Sequence, residues 1–265
     1  MMSAAVLRTR RAALPVLAAA MLSAASALAQ TPPSAASILD RYVQVTGGRA
    51  AYERHTTEVL TGTIEFPAQG LHGKLKRYAM APDKEYSVVE LEALGKIESG
   101  VHSGVPWEKS VILGPRIKAG PEKEQSLREA RFNGPTEWRK IYAKVEMAGV
   151  TNIGGDECYE VVLSPAAGNA EHQFYSRKTG LLVRTTMTAV SQMGDVQVEV
   201  NVSDYQNFGG ILFPTRSEQK AAGQQVVITV ESVGVNEAIP AAIFEPPPDI
   251  AAMIRKQIAA AEGKL

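Results

Sequence analysis

The chain has 265 residues, of which 45% are hydrophobic and 21% are charged, so it can bury a full core and is neither disordered nor fibrous. Its 28 basic and 28 acidic residues balance, and removal of the first 29 residues, with three arginines and no acidic residue, leaves 25 against 28, or −3. This balance gives no indication of a nucleic-acid partner. One domain is the simplest organisation at this length.

Residues 1–29 have the features of a secretory signal peptide. Three arginines precede an apolar run over residues 12–22, and an Ala-Leu-Ala sequence that ends at Ala29 suits signal peptidase. We expect a mature chain that begins at Gln30, is periplasmic and has no integral membrane segment after processing. A membrane anchor is the alternative, but the apolar run is shorter than a spanning helix requires. The arginines also resemble a twin-arginine signal, so the export route stays open.

Residues 30–48 predict a short spacer followed by an N-terminal helix. The helix begins near Ser34 and ends at the glycine pair Gly47-Gly48. Its apolar face consists of four residues at helical spacing: Ile38, Leu39, Tyr42 and Val45. The glycine pair is no phosphate loop, because it follows a helix and lacks the Lys-Ser/Thr that such a loop needs.

Segments of alternating apolar and polar residues, separated by Pro and Gly turns, predict about ten antiparallel strands. The clearest pattern is a meander over residues 156–220, which we expect at the centre of the protein, with Val196, Val198, Val200 and Val202 on one face. The other predicted strands are 58–65, 71–79, 85–91, 95–103, 107–113 and 225–233.

The strand pattern stops between residues 114 and 142, where two helices are predicted over 121–132 and 135–142. Aromatic residues cluster around this insertion, and exposed aromatic side chains would be an association hazard. We therefore expect a cavity or lid at this place, formed by Phe132, Trp138 and Tyr142 together with Trp107 from the opposing sheet. A filled core in place of a cavity is the alternative.

Residues 246–265 predict a C-terminal helix that Asp249 caps. Four apolar residues form a stripe along it: Ile250, Met253, Ile254 and Ile258. Amphipathic helices usually bury such a stripe locally, so we expect the helix to dock on the domain. A free stripe that binds a partner is the alternative.

No catalytic or metal-binding constellation is present in the sequence. The four histidines are scattered without metal-ligand spacing, and Ser103 is one position away from a nucleophile-elbow arrangement. Cys158 is the single cysteine and lies inside a strand pattern, which is typical of a packed residue. We therefore expect neither an enzyme nor a bound cofactor or metal.

Several sequence blocks carry a family resemblance. Asp-x-x-Tyr-x-Val-x-Leu begins at Asp156, Phe-Tyr-Ser-x-x-Thr-Gly-Leu-Leu-Val-Arg begins at Phe174, and Asp204-Tyr205 is followed by Gly-Gly-Ile-Leu-Phe-Pro from Gly209. Their order and spacing resemble the periplasmic LolA-like proteins of the outer-membrane lipoprotein-sorting superfamily. The likeness covers most of residues 35–235, including Gly-Val-Pro-Trp107.

The resemblance implies a mainly β (α+β) fold in which a large curved antiparallel sheet forms a half-open barrel covered by short helices. The sheet domain would span residues 49–245 and contain the helical insertion 121–142. It also implies a non-catalytic carrier of a hydrophobic ligand, a lipid or the acyl chains of a lipoprotein, with a membrane-bound donor or acceptor protein as a further partner. A periplasmic sensor or protein-interaction module of the same fold is the alternative.

Overall fold

Thirteen antiparallel strands form one continuous sheet in the computed structural model, which describes residues 32–92, 94–191 and 194–262. The expected signal peptide lies outside these residues. The strands are β1 (Thr57–Phe66), β2 (Leu71–Met80), β3 (Lys84–Leu91), β4 (Gly95–His102), β5 (Val105–Ser110), β6 (Gly114–Ile117), β7 (Tyr142–Ile153), β8 (Asp156–Pro165), β9 (Glu171–Ser176), β10 (Leu182–Ser191), β11 (Gly194–Phe208), β12 (Ile211–Ala221) and β13 (Gln224–Val235).

Five α-helices accompany the sheet within the described residues: α1 (Ala35–Val45), α2 (Arg49–Arg54), α3 (Gly120–Glu129), α4 (Trp138–Ile141) and α5 (Pro248–Glu262). Three short 3₁₀ turns complete the list, at Pro67–Gln69, Gly134–Thr136 and Ala241–Phe244. None of the helices in this part of the chain is both long and apolar enough to cross a membrane. The mainly β fold with an unclosed sheet and short helices, expected from the sequence, is confirmed.

The strand order is β6-β5-β4-β3-β2-β1-β13-β12-β11-β10-β9-β8-β7. Every neighbouring pair follows directly in the chain except β1 and β13, which pair near the middle of the sheet. The two edge strands, β6 and β7, are therefore consecutive in the chain. Residues 118–141, which contain α3 and α4, connect one edge of the sheet to the other.

Two strand predictions need correction. The sequence predicts a gap in the strand pattern between residues 114 and 142, yet Gly114–Ile117 is a strand, and Tyr142–Ile153 is a further strand that the pattern did not predict. Both lie at edges, where a strand is bonded on one side and commonly contains glycine and charged residues that weaken the alternation. The meander 156–220 forms one flank of the sheet rather than its centre. The middle of the sheet is formed by β1 and β13, the first and last strands along the chain.

The predicted helical insertion is shorter and more irregular than expected. Gly120–Glu129 is helical, but the second segment divides into a 3₁₀ turn at Gly134–Thr136 and a single turn of α-helix at Trp138–Ile141. Asn133, at a φ of 54°, takes the left-handed conformation between the two segments. Its side-chain amide donates to the Tyr52 carbonyl oxygen at 2.6 Å, which ties this junction to α2.

The helices divide between the two faces of the sheet. Side chains alternate along each strand, so Trp107 shares one face with its cross-strand neighbours Gly100 and Tyr86, whereas Glu108 lies on the other. Helix α5 packs on the Trp107 face, which we call the outer face. Helices α1 and α3 pack on the opposite one, the inner face, against Val161 and Arg116 respectively.

Helix α5 docks through half of its predicted stripe. Ile250 and Ile254 are buried against Val105 and Trp107, while Met253 and Ile258 stay exposed. The helix begins at Pro248, so Asp249 lies in the first turn, where its carboxylate accepts from the Ile250 amide at 2.9 Å and pairs with Lys109 at 2.7 Å. Gly100 leaves room for the indole beneath, since a Cβ there would lie 3.2 Å from the Trp107 ring.

This packing predicts unequal effects of two substitutions in α5. Ile250→Ala should lower the free energy of unfolding by about 2–5 kcal/mol, because it opens a cavity in a fully buried site. Ile258→Ala, at a residue that is 39% exposed, should change it by less than about 0.5 kcal/mol. Urea denaturation measures both, and equal effects would contradict the docked position of the helix.

Candidate ligand-binding site

Residues 118–141 form a lid over the inner face. The segment leaves the sheet at β6 and returns at the opposite edge, β7, and on the way α3 contacts both β5 and β10. Beyond α3, the Phe132 amide of the same segment donates to the Pro82 carbonyl oxygen at 3.0 Å. The inner face is thereby enclosed between the sheet below and the lid and α1 above.

The first end of the lid is held by a cluster of ion pairs. Arg116 of β6 donates to both carboxylate oxygens of Glu122 in α3, at 2.7 and 2.8 Å, and to Glu108 of β5 at 3.2 Å. Lys118 Nζ donates to Ser126 Oγ at 3.2 Å. A bidentate arginine–carboxylate pair fixes orientation as well as distance, so it sets the angle at which α3 leaves the sheet.

The second end of the lid is fastened to α1. Arg139 donates to both carboxylate oxygens of Asp40, at 2.9 and 2.7 Å, and the Trp138 indole nitrogen donates to the same carboxylate at 3.3 Å. The hydrogen bonds from Arg139 hold the pKa of Asp40 below its ordinary value. The Arg139 guanidinium also stacks 4.0 Å from the centre of the Trp138 ring. These contacts form a latch, and solvent can compete with its exposed Arg139–Asp40 pair.

A pocket of about 300 Å³ lies between the lid, α1 and strands β8 to β10. This volume is at the lower end of the range for small-molecule sites, about 300–1,000 Å³. Both layers contribute apolar walls: Leu39, Trp138, Ile141, Leu163, Leu182, Met187 and Val190. The pocket can therefore accept a narrow apolar group.

A hydrogen-bonded polar chain crosses the wall of this pocket. The Tyr142 hydroxyl donates to Glu171 Oε1, Gln173 Nε2 donates to the same oxygen at 2.8 Å, and the Tyr175 hydroxyl donates to Gln173 Oε1. Burial raises the pKa of Glu171. Burial, together with the nearby Glu171 carboxylate, also raises the pKa values of Tyr142 and Tyr175. The pocket is thus amphiphilic rather than purely apolar.

A smaller pocket of about 200 Å³ lies beside the first, under the junction between α3 and α4. Its floor holds Arg77, which donates to Glu58 at 3.2 Å and, beyond the pocket lining, to Glu85 at 3.0 Å. Burial raises the pKa of Glu58. Burial disfavours the charge on Arg77, but the two carboxylates outweigh this and raise its pKa. Charges in this region are therefore paired within the protein.

Arg131 lies at the boundary between the two pockets and contributes to the lining of both. Its side chain is exposed. Among the described residues its guanidinium has no hydrogen-bond or ion-pair partner, in contrast to the paired Arg77 and Arg116. An unpaired guanidinium at the mouth of an apolar pocket can bind an anionic group.

The structure brings together three of the four aromatic residues expected at the cavity. Trp138 and Tyr142 line the larger pocket, and Phe132 lines the smaller one. Trp107 does not join them: it is 1% exposed, on the outer face under α5, and lines neither pocket. The expectation for Trp107 is corrected by the register, which points Glu108 toward the lid and Trp107 away from it.

Sequence reasoning missed the polar members of the site. Glu171, Gln173 and Tyr175 alternate with His172 and Phe174 in β9, so they share one face of the strand. Glutamate and glutamine on a strand face usually indicate the solvent side. The tyrosine at the third position of the same face is the only local signal that this face is covered.

The comparisons with known proteins are structural. No family model matches the sequence, and no curated protein matches it either. The fold superposes on a LolA superfamily protein from Nitrosomonas europaea, with a TM-score of 0.56 and 12% identity over 81% of this chain and 99% of the other. A DUF1329 family protein from Desulfovibrio piger gives a TM-score of 0.56 and 16% identity over 81% and 98%.

A third similar structure is a domain named as an outer membrane lipoprotein-sorting protein, from Vibrio parahaemolyticus. It gives a TM-score of 0.51 and 9% identity over 80% of this chain and 97% of the other. At these identities the similarity concerns the fold alone. The chain has the LolA-like fold that the sequence blocks resemble, and that resemblance is confirmed at this level.

The raised pKa of Glu171 predicts a pH-dependent gain from Glu171→Gln. Both hydrogen bonds to this side chain reach Oε1, so the amide oxygen can accept them while the charge is removed. Below about pH 4.5, the ordinary pKa, Glu171 is protonated in both the folded and the unfolded chain, and its contribution to stability is complete. As the pH rises through the raised pKa, the folded chain must hold a buried charge, and this stability is lost. The variant should therefore gain stability relative to the parent above pH 4.5.

Urea denaturation between pH 4 and pH 8 measures this difference. Glu124→Gln, at an exposed position on the same lid, is the matched control and should show no such trend. A Glu171→Gln difference that stays constant, or that falls as the pH rises, would contradict the buried setting of this carboxyl group.

Proposed function

We propose that the protein is a non-catalytic periplasmic carrier of an amphiphile, such as a lipid or an acyl chain of a lipoprotein. One observation carries the proposal: a latched lid covers a pocket whose walls are apolar at one place and polar at another. The LolA-like fold and the signal-peptide features of residues 1–29 support the same function.

The size of the pocket favours a ligand with one acyl chain. A volume of about 300 Å³ suits a single narrow chain better than the several chains of a larger lipid. Further apolar residues on the inner face are only half-buried and could contact a longer chain: Leu75, Val89, Ile97, Val198, Val200 and Ile228. The apolar inner face is thus wider than the pocket itself.

Arg131, at the boundary of the pocket, favours an anionic head group. Within the described part of the chain the Arg131 guanidinium has no protein partner, whereas the neighbouring Arg77 is already paired with two carboxylates. A carboxylate or phosphate at Arg131 would leave the attached chain directed toward Trp138 and Leu163. Trp138 and Tyr142 then contact ligand, while Phe132 supports the junction of the lid.

The two tryptophans allow a direct test by fluorescence titration with oleate. Trp138 lines the pocket and Trp107 is buried on the outer face, so Trp107→Phe isolates the signal of the lid. In this variant we expect a saturable blue shift when oleate fills the pocket. Trp138→Phe, which leaves only Trp107, is the matched control and should show no shift.

The same titration tests the head-group assignment. Arg131→Ala should weaken oleate binding by about tenfold or more, as expected for loss of a charge-assisted hydrogen bond, and should leave uncharged monoolein unaffected. Arg177→Ala, at an exposed arginine on the β9–β10 turn, is the control. A parent protein whose fluorescence shifts with neither oleate nor monoolein would contradict the carrier function. It would favour the alternative, a sensor or protein-interaction module of the same fold.

A further inference from the structure

Three consecutive aliphatic side chains stand exposed at the turn between β5 and β6. Val111, Ile112 and Leu113 are 76%, 70% and 49% exposed, the highest values for large hydrophobic residues in the part of the chain that the structure describes. Leu94, on the adjacent β3–β4 turn, is 38% exposed. A Cβ on Gly95 would lie 3.2 Å from Val111, so the two turns touch. We call these four residues the apolar tip.

The conformation of the turn does not require these side chains. The Leu113 amide donates to Ser110 Oγ at 3.0 Å, and Gly114 takes the left-handed conformation at a φ of 68°. Polar residues would satisfy the same turn and would cost less in solvent. A run of three exposed aliphatic residues therefore indicates a surface that is covered in use.

The apolar tip lies at the same end of the sheet as the wall of the larger pocket. Successive turns of an antiparallel meander alternate between the two ends, which places the β3–β4 and β5–β6 turns together with residues 166–170 and the end of β10. Asn169 and Val190, which line the pocket, belong to this end. A surface that covers the tip would therefore face the end of the sheet at which the pocket wall also lies.

We propose that the apolar tip inserts into a phospholipid bilayer and docks the protein on a membrane. The tip consists of four side chains on two neighbouring turns, whereas a stable protein interface buries about 800 Å² on each partner. Residues 110–115 contain no charged side chain, so insertion of the β5–β6 turn desolvates no ion. Lys96 and Lys109 flank the tip, and each is paired with a carboxylate, that of Glu90 and that of Asp249 respectively.

A fluorescent label at the tip tests this directly. Cys158 is fully buried, so a cysteine introduced by Ile112→Cys can be labelled alone with an environment-sensitive dye. We expect a blue shift when the processed protein, purified from periplasm, meets vesicles of phosphatidylethanolamine and phosphatidylglycerol. Val150→Cys, at an exposed position of β7 near the opposite end of the sheet, should show no shift.

Vesicle flotation supplies the second measurement. Ile112→Asp should lower the partition coefficient by about tenfold or more, because one inserted aliphatic side chain is replaced by a charge, while Val150→Asp should leave it unchanged. Both variants should keep the thermal midpoint of the parent, since both positions are exposed. Flotation that Ile112→Asp leaves intact would overturn the proposal.

A shift at position 112 that depends on protein concentration without vesicles would also overturn it, since the tip would then bind a second copy. The readout does not depend on a ligand in the pocket. Docking without uptake of oleate would support the membrane tip and contradict the carrier.

Discussion

The pairing of β1 with β13 decides where the two free edges of the sheet fall. Because these strands join the two ends of the chain, the edges β6 and β7 become neighbours in sequence although they are farthest apart in the strand order. The link between them must pass from one edge to the other, and α3 contacts both flanks on its way. The lid, the pocket beneath it and the latch to α1 all follow from this one non-sequential pairing.

The inner face combines an apolar core cluster with paired polar and charged groups. Buried carboxyl and guanidinium groups cost free energy unless they are hydrogen-bonded or paired. Glu171 is bonded to Tyr142 and Gln173, and Arg77 to Glu58 and Glu85, so these two groups have partners within the protein. The outer face under α5, by contrast, is packed by Trp107, Ile250 and Ile254. Paired polar groups thus lie on the inner face, beside the apolar cluster that α1 forms with Val161 and Leu163, whereas the outer face under α5 is mainly apolar.

Local periodicity predicted most strands, the mainly β class and the helical insertion, because β-branched residues alternate clearly in segments such as 196–202. It missed β6 and β7, because an edge strand is paired on one side only and its alternation of apolar and polar residues can be weaker. It also grouped Trp107 with Trp138, since closeness to the insertion in sequence does not tell which face a strand residue takes. That choice depends on a register set by pairing between distant strands, as does the covered position of Glu171.

Native mass spectrometry of the processed protein, freshly purified from periplasm, tests the carrier account most directly. The account predicts a species with one bound amphiphile, released on collisional activation, and a reloaded one-to-one complex after incubation of the stripped protein with a single-chain lysophospholipid. A protein that is ligand-free on purification and remains so after this incubation would contradict it.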